Sequence, residues 1–457
     1  MRPSRIFQRQ AQPWARAVLT VLPALMAVTA LTALTALTAL TALSSGAARA
    51  NDLDALALQA EDEPDPKAKS AVPEAKAAAA GRKWFAELAL GQARDRSGNG
   101  STDLGRLTLD GREQARLGAA WQGTLSARLD HTEPADPRLG ASVLTLREAY
   151  LGWQDAEARH VFEAGRINLR EGPAYAWNPT DWLKTNALRT ITTVNPASLR
   201  ESRLGTVMLR GQRLWDGGSL ALAWAPKLAD GPSREGIAAD LGATNAAHRG
   251  LLSLGTRWSE TLNTQLSLYA EQDREPQIGA SLTALLSDAV VWHAEATSGR
   301  SLSLTEQVLT PGATSSLHHR LATGLTWTSA SRLSLTAEWH RNGAAPDRQA
   351  WQALRASSPQ SLPAFYALAS ALQNNASNDA FFVYAVQRDL GVRNLDLTAL
   401  LRHNASDGSR LTWVELRWRL ERMDMALQWQ RLAGEPGSEF GSLPLRHSVG
   451  AILTLYF

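Results

Sequence analysis

The stretch that decides the fold is residues 447–457, which read H-S-V-G-A-I-L-T-L-Y-F. Its residues of one parity are all apolar: Val449, Ala451, Leu453, Leu455 and Phe457. Because successive side chains of a strand point to opposite faces, this pattern predicts a strand with one apolar face. A strand that ends on an aromatic residue is typical of the closing strand of a transmembrane barrel, which leaves no backbone edge open in lipid. The alternative is an edge strand of a soluble sandwich.

The same alternation recurs upstream and predicts eighteen strands between residues 83 and 457. Short connections follow the even-numbered strands. Longer ones mostly follow the odd-numbered strands, at 95–104, 132–142, 171–202, 228–248, 300–317, 344–379 and 434–446. A soluble sandwich has no reason to keep this alternation, whereas membrane barrels combine short periplasmic turns with long extracellular loops. The polar face of several strands carries charged side chains, so this face is predicted to line a water-filled lumen.

These features resemble the porin and alginate-export types of Gram-negative outer-membrane barrel. The resemblance rests on the closing Phe457, the turn pattern and the arginine-rich polar faces, and it covers residues 83–457. It implies an all-β fold, a transmembrane antiparallel up-and-down barrel of about 18 strands. It also implies an in-folded extracellular loop, contact with outer-membrane lipid and lipopolysaccharide, and recognition of the C-terminal strand by the barrel-assembly machinery.

The N-terminal region predicts export to the cell envelope. Residues 1–50 combine basic residues, an apolar run with five Thr-Ala-Leu copies and the small-residue site Ala48-Arg49-Ala50, so they predict a signal peptide cleaved after Ala50. Residues 51–82 are rich in Ala, Glu, Asp, Pro and Lys, which predicts a flexible periplasmic linker. A periplasmic partner could dock there, and residues 83–457 would form the barrel.

Composition argues against nucleic-acid binding. The whole chain has 47 basic and 44 acidic residues, but the first fifty residues include five arginines and no acid. The remainder therefore has 42 basic residues against 44 acidic ones and no basic excess. Without cysteine, the chain has neither a lipoprotein anchor nor disulfides.

The third long connection, residues 171–202, is predicted to fold into the barrel as the constriction loop. Its candidate constriction residues are Trp177, Asn178, Asp181, Lys184 and Arg189. Two Asn-Pro steps, at 178–179 and 195–196, favour turns, and the first is also predicted to start a short helix near Thr180 or Asp181.

Candidate pore-lining residues combine a basic ladder with polar strand residues: Arg166, Arg170, Arg200, Arg203, Arg210, Tyr269, Glu271, Arg417 and Arg419. Such a ladder favours anionic solutes, including carboxylated saccharides. Alternatively, the loop arginines pair with Glu171, Asp181 and Glu201 and only pin the loop. At the other end of the barrel wall, Tyr456 is predicted to face the lumen and Phe457 the lipid, where the last strand closes on the first.

Two further groups of residues have structural interpretations. Tryptophans near strand ends are interpreted as interfacial girdle residues: Trp84, Trp153, Trp215, Trp224, Trp258, Trp327, Trp339 and Trp429. The loop at 344–379 is interpreted as an extracellular lid, a second in-folded segment or simple exposed variation.

The function predicted from these features is an outer-membrane channel for passive passage of small hydrophilic solutes. No catalytic motif is present, the adjacent His318 and His319 lack an assignable third metal ligand, and no cofactor is implied, so a non-enzyme is predicted. The alternatives are a barrel enzyme or surface-binding barrel with a blocked lumen, and the barrel component of a secretion machine.

Overall fold

The structure is a computed structural model that describes residues 81–96, 100–310 and 312–457. The predicted signal peptide, and the predicted linker up to residue 80, lie outside the described residues.

The described residues form one antiparallel sheet of eighteen strands that closes on itself. The strands are β1 (Arg82–Asp95), β2 (Ser101–Arg116), β3 (Trp121–Asp136), β4 (Gly140–Gln154), β5 (His160–Ile167), β6 (Thr206–Trp215), β7 (Gly218–Ala225), β8 (Arg249–Ser259), β9 (Leu262–Glu271), β10 (Gln277–Ser287), β11 (Val290–Ser301), β12 (Ser316–Thr328), β13 (Leu333–Asn342), β14 (Asp379–Gln387), β15 (Leu395–Asn404), β16 (Arg410–Arg419), β17 (Met423–Ala433) and β18 (Leu445–Tyr456). Each strand pairs with its sequence neighbours, and β1 also pairs with β18. The predicted fold class, an 18-stranded up-and-down transmembrane barrel, is confirmed.

The seam between β1 and β18 runs in continuous register from Phe85 opposite Tyr456 to Arg94 opposite His447. The backbone N–H of Phe457 donates to the carbonyl of Trp84 at 3.0 Å, which adds one bond beyond the last strand residue. The hydroxyl of Tyr456 donates to Asp424 at 2.8 Å, whereas the Phe457 side chain is 78% exposed.

Side-chain parity divides the barrel into a polar inside and an apolar outside. On β3, Ser126, Arg128 and Asp130 are buried in the lumen, while the intervening Leu125 is 54% exposed. Strand β13 repeats the pattern with buried Glu338 and His340. An apolar outer surface around a charged interior suits lipid outside and water inside.

Tryptophans mark the end of the barrel that has the short turns. Eight lie near strand ends there: Trp84, Trp121, Trp153, Trp215, Trp258, Trp292, Trp327 and Trp418. Five of these belong to the predicted girdle, while the predicted Trp224, Trp339 and Trp429 lie toward the long-loop end. Amphipathic rings in such positions favour the headgroup level of a bilayer.

One predicted long connection is wrong. Instead of a loop over 132–142, β3 continues to Asp136 and β4 begins at Gly140. The Asp136 carboxylate accepts the N–H groups of Arg138 and Leu139 at 2.7 and 3.1 Å and thereby closes a tight turn. The preceding connection, between β2 and β3, is residues 117–120 and not the 120–122 expected from the sequence, because β2 ends at Arg116 and β3 begins at Trp121. Polar residues in this hairpin suggested a loop, but paired strands tolerate polar side chains where they emerge into water.

The connections at the long-loop end carry the helices. They are α1 (Pro196–Glu201), α2 (Leu241–Thr244), α3 (Glu306–Leu309), α4 (Arg348–Ala356) and α5 (Ser361–Ala371). Among the described residues, none of the helices is both long and apolar enough to span a bilayer.

The connection between β13 and β14, residues 343–378, forms a packed structure that we call the cap loop. Trp351, Leu354 and Phe365 from α4 and α5 share a buried cluster with Leu304, which precedes α3. The hydroxyl of Tyr366 donates to the carbonyl of Gly437 at 3.1 Å, so the cap loop also contacts the connection between β17 and β18. The interpretation as simple exposed variation does not fit this core.

Candidate functional site

The connection between β5 and β6, residues 168–205, crosses the lumen, and we call it the inner loop. The Asn195 amide donates to the Tyr384 hydroxyl at 3.1 Å, and the Tyr175 ring lies 4.7 Å from the Tyr384 ring. Tyr384 belongs to β14, nine strands from β5 in a ring of eighteen. The inner loop therefore reaches the wall opposite its origin and narrows the passage.

Glu295 on β11 is the first carboxylate that holds the inner loop. It accepts the N–H groups of Ala174 and Thr180, each at 2.9 Å. The Asn178 amide donates to it at 2.9 Å, and the Thr180 hydroxyl binds it as well. Because Glu295 is only 1% exposed, these donors replace the water that an ionised carboxylate requires.

Glu338 on β13 is the second holding carboxylate. It accepts the N–H groups of Tyr175 and Ala176 at 2.5 and 3.0 Å. Its oxygens also lie 2.8 Å from His293 Nε2 and 2.9 Å from His340 Nε2. Two glutamates on the barrel wall thus fix a single short stretch of the inner loop.

Asp181 is the ionic centre within the inner loop. Arg203 lies 2.5 Å and Arg200 3.9 Å from its carboxylate. Burial alone would raise the pKa of Asp181, but Arg203, Arg200 and Lys184 outweigh burial and hold that pKa below its usual range. Arg200 and Arg203 therefore pin the loop, as the pairing alternative predicts for Asp181.

Lys184 lies beside this centre. Its ammonium donates to the carbonyl of Asn178 at 2.6 Å and lies 5.5 Å from the centre of the Trp177 ring. Burial lowers the pKa of Lys184 to about 7, although the charge of Asp181 opposes the change.

Glu171 and Glu201, the other two acids predicted to pair with loop arginines, form no ion pair with them. Arg200 donates to the backbone carbonyl of Glu171 at 2.9 Å and not to its carboxylate. Within the described part of the chain, the carboxylate of Glu201 has no ion pair. Only one of the three proposed acids therefore pairs with loop arginines.

Arg189 joins the inner loop to two other segments. Its guanidinium donates to the carbonyls of Leu144 on β4 and of Glu235, Gly236 and Ala238 in the connection between β7 and β8. It also pairs with Asp240 at 3.2 Å. The planar fork of an arginine can satisfy several acceptors in fixed directions, which a lysine cannot.

Arg189→Ala is therefore expected to release the connection between β7 and β8, because several buried carbonyls lose their donor at about 1–3 kcal/mol each. Limited proteolysis of the folded barrel should show faster cleavage within 228–240. Arg189→Lys should release it in part, and Arg138→Ala, at an exposed hairpin, serves as the control. Equal cleavage of all variants would contradict the role assigned to Arg189.

Glu171 lies between the inner loop and the wall. Ser253 on β8 and Gln265 on β9 each donate to its carboxylate at 3.1 Å. Burial raises the pKa of Glu171 to about 7, and the two hydrogen bonds only partly oppose this effect. The folded pKa is raised, so the contribution of Glu171 to loop docking is full below its ordinary pKa and is lost as the pH rises through about 7.

Ion selectivity is expected to depend on pH in the same range. As pH rises through about 7, Glu171 gains a negative charge and Lys184 loses a positive one, so both shift selectivity toward cations. Reversal potentials measured at about pH 5.5 and about pH 8.5 should show this shift. Glu171→Gln should reduce it, whereas the exposed Glu201→Gln should not. An unchanged shift in Glu171→Gln would contradict the assignment.

Apart from Arg166 and Arg170, the other predicted pore-lining residues lie on the lumen side of the wall, mostly in ion pairs. Arg210 pairs with Glu163 at 2.7 Å. Further pairs and contacts are Arg417 with Glu415 at 2.8 Å and Asp424 at 3.4 Å, Arg419 with Asp396 at 2.8 Å, and Tyr269 with Glu271 at 2.6 Å. Arg166 is buried but shares the outward parity of the exposed Phe162, and it donates to the carbonyl of Leu146 at 3.3 Å. Arg170 is half-buried.

The tip of the inner loop contacts β2 and β3. Arg106 on β2 donates to the carbonyl of Thr192 at 2.8 Å, and Arg128 on β3 donates to its hydroxyl at 3.4 Å. The neighbouring Ile191 is 64% exposed.

The first Asn-Pro step does not start a helix, which corrects that prediction. Residues 178–181 form a turn, because the Asn178 side chain is engaged with Glu295 and with the carbonyls of Gly172 and Ala174. The second step starts α1, where the Asn195 side chain accepts the N–H of Ala197 at 3.1 Å.

Sequence reasoning missed the residues that hold the loop. Glu295, Glu338 and Trp182 were not among the candidates, although all three are buried. Trp182 stacks on Tyr269 at 5.0 Å, and its indole N–H donates to Ser267 at 3.1 Å. The sequence feature that could have identified the two glutamates is a single acid among the lumen-facing positions of β11 and of β13.

No protein-family model and no curated protein sequence matches the chain. The chain is similar in structure to OccK5 (OpdH) of Pseudomonas aeruginosa, at 10% identity and a TM-score of 0.50, over 82% of this chain and 98% of that chain. The fold is porin-like.

Two further solved structures are similar at lower scores. OccAB4 of Acinetobacter baumannii has 10% identity and a TM-score of 0.49, over 82% of this chain and 97% of that chain. Salmonella typhi OmpF, solved as a complex with daunomycin, has 10% identity and a TM-score of 0.42 over the same shares. The porin-like fold rests on the similarity to OccK5 and agrees with the resemblance to porins, while the alginate-export type stays a prediction.

Proposed function

We propose that this porin-like barrel is an outer-membrane channel through which small hydrophilic solutes pass by diffusion. The observation that carries the proposal is the inner loop, which crosses a charged lumen and is docked by Glu295 and Glu338 on the far wall. A loop fixed in this way sets the width of a water-filled passage. The signal peptide and the cleavage near Ala50 remain predictions that fit this location.

A preference for anionic solutes, including carboxylated saccharides, is the finer part of the proposal. In the described part of the chain, Arg249 and Arg320 have no carboxylate within ion-pair distance, and both lie on the lumen side. Positive charge without a direct acidic partner favours anions in a pore. Reversal potentials across a salt gradient test this preference, and cation selectivity at neutral pH would contradict it.

Liposome swelling tests passage itself. Proteoliposomes that contain the folded barrel should swell in isotonic solutions of small neutral sugars, and the rate should fall steeply as the sugar becomes larger. Liposomes with heat-denatured protein serve as the control. Swelling that is no faster than this control would contradict the channel.

A surface-binding barrel with a closed lumen is the second candidate, and the cap loop favours it. The Asn186 N–H donates to the carbonyl of Ala371 at 2.7 Å, and the Gln373 amide donates to the carbonyl of Lys184 at 2.5 Å. The cap loop therefore rests on the inner loop over part of the mouth. Absence of swelling would favour this candidate. The secretion-machine alternative, with a partner at 51–82, is tested by pull-down with and without that segment.

A further inference from the structure

Four hydrogen-bond donors where the inner loop meets strands β11 and β12 are left wholly or partly without acceptors. In the part of the chain that the structure describes, the indole N–H of Trp177, the hydroxyl of Thr297 and the Nε–H of Arg320 have no hydrogen-bond partner. The buried ammonium of Lys184 has three N–H groups, yet among the same residues only the carbonyl of Asn178 accepts from it. We call Trp177, Lys184, Thr297 and Arg320 the donor cluster.

Strand register places two members of the donor cluster side by side. Thr297 on β11 lies directly opposite Arg320 on β12, and both face the lumen. On the other side of Thr297 lies Gly279 on β10, which has no side chain. A Cβ atom at Gly279 would lie only 2.8 Å from the ring of Trp182 in the inner loop. The inner loop therefore lies directly over this part of the wall.

The inner loop brings the other two members to the same part of the wall. The ammonium of Lys184 lies 5.5 Å from the centre of the Trp177 ring. Trp177 packs against Ala322, which is the next lumen-facing residue after Arg320 on β12. Lys184 and Arg320 are also close enough to repel each other electrostatically. The donor cluster thus spans the junction between the inner loop and the wall.

Charge is unbalanced in the donor cluster. Among the residues with described positions, neither Lys184 nor Arg320 has a carboxylate within ion-pair distance. The nearby Glu295 already accepts four hydrogen bonds from the inner loop, and Asp181 is paired with Arg203. Buried cations without a counter-charge and buried donors without acceptors both cost stability. A water molecule could accept some of these hydrogen bonds, but it would supply no negative charge.

We propose that the donor cluster binds a small monovalent anion, such as chloride, which holds the inner loop against the wall. An anion between Lys184 and Arg320 would neutralise both charges and accept the hydrogen bonds of Trp177 and Thr297. Hydrogen bonds to a charged acceptor are stronger than those to a neutral one. The bound anion would form a further attachment of the inner loop, beside those made by Glu295 and Glu338. It is a resident ligand beneath the loop and not a permeating solute.

Crystals of the full chain grown in sodium bromide test the proposal, because anomalous scattering identifies bromide that has replaced chloride. We expect bromide between Lys184 and the Thr297–Arg320 pair. Thr297→Val replaces the hydroxyl with a methyl group of similar size and should greatly reduce the bromide signal. The matched control Thr326→Val changes another lumen threonine, whose hydroxyl already lies 2.8 Å from that of Thr336, and it should retain bromide.

Affinity in solution is measured from the broadening of the chloride NMR signal by the folded barrel and the reversal of this broadening by bromide. Thr297→Val should weaken binding about tenfold, because one hydrogen bond to a charged ligand is lost. Lys184→Met should abolish binding. The control Lys227→Met removes an exposed lysine that pairs with Asp230, and it should bind chloride as the wild type does.

Three results would overturn the proposal. The first is bromide at exposed positions alone, which would be an adventitious ion only. The second is an ordered water molecule where bromide is expected, and the third is equal affinity in Thr297→Val, Thr326→Val and the wild type. Migration of unheated samples on detergent gels shows which variants are folded, and Thr297→Val decides the matter if Lys184→Met does not fold. Neither measurement requires ion current, so the result is independent of the channel proposal.

Discussion

A barrel that carries Glu295→Ala and Glu338→Ala should conduct markedly more current per channel than the wild type, with larger fluctuations. Together the two substitutions deprive six donors of the inner loop of their acceptor. At about 1 kcal/mol for each bond, docking of the loop weakens by several kcal/mol. The loop would then no longer hold its position across the lumen, and the passage would widen.

Matched substitutions separate docking from simple loss of charge. Glu163 and Glu415 are also lumen glutamates, but they pair with Arg210 and Arg417 and not with the inner loop. Glu163→Ala/Glu415→Ala should shift selectivity toward anions and leave the unit conductance near the wild-type value. Single-channel recordings of both double variants make the comparison. Equal conductance in the docking variant and the control would show that the two glutamates do not set the width.

Deletion of Phe457 should cost most of the folded protein and leave the selectivity of the remaining barrels unchanged. The deletion removes the hydrogen bond from the Phe457 N–H to Trp84 and an aromatic ring that faces outward at the seam. Recognition of the C-terminal strand by the barrel-assembly machinery is a further expectation from the resemblance to outer-membrane barrels. Because the Phe457 ring lies outside the lumen, it has no route to influence ion preference.

The folded fraction is measured from the migration of unheated samples on detergent gels, and selectivity from reversal potentials. Phe457→Trp keeps an aromatic terminus and should assemble nearly as well as the wild type. Normal assembly together with altered selectivity would contradict this account of the seam.

The wall of the barrel could be predicted from sequence because its signal is local. Alternation of period two, as in residues 447–457, reports which side chains face lipid, and an even number of alternating segments is typical of single-chain bacterial barrels. Loop length also reported the position of the inner loop. The hairpin at 132–142 was mispredicted because polar strand residues above the membrane look like a loop.

The docking of the inner loop could not be predicted, because its partners are distant and include backbone groups. Glu338 binds the N–H of Tyr175, 163 residues away in the chain, and a backbone donor leaves no mark on the sequence. The arginine ladder was visible, but its partners were not. Asp240, which pairs with Arg189, lies in a different connection. The sequence shows which residues are charged and could line the pore, whereas the fold decides which of these charges neutralise each other.

Planar-bilayer recording of the purified wild-type chain shows whether the inner loop leaves an open passage. We expect discrete steps of ion current upon insertion, with a unit conductance that increases when Glu295 and Glu338 are both replaced by alanine. A correctly folded barrel that inserts into the bilayer and passes no current would contradict the claim that the inner loop narrows an open channel.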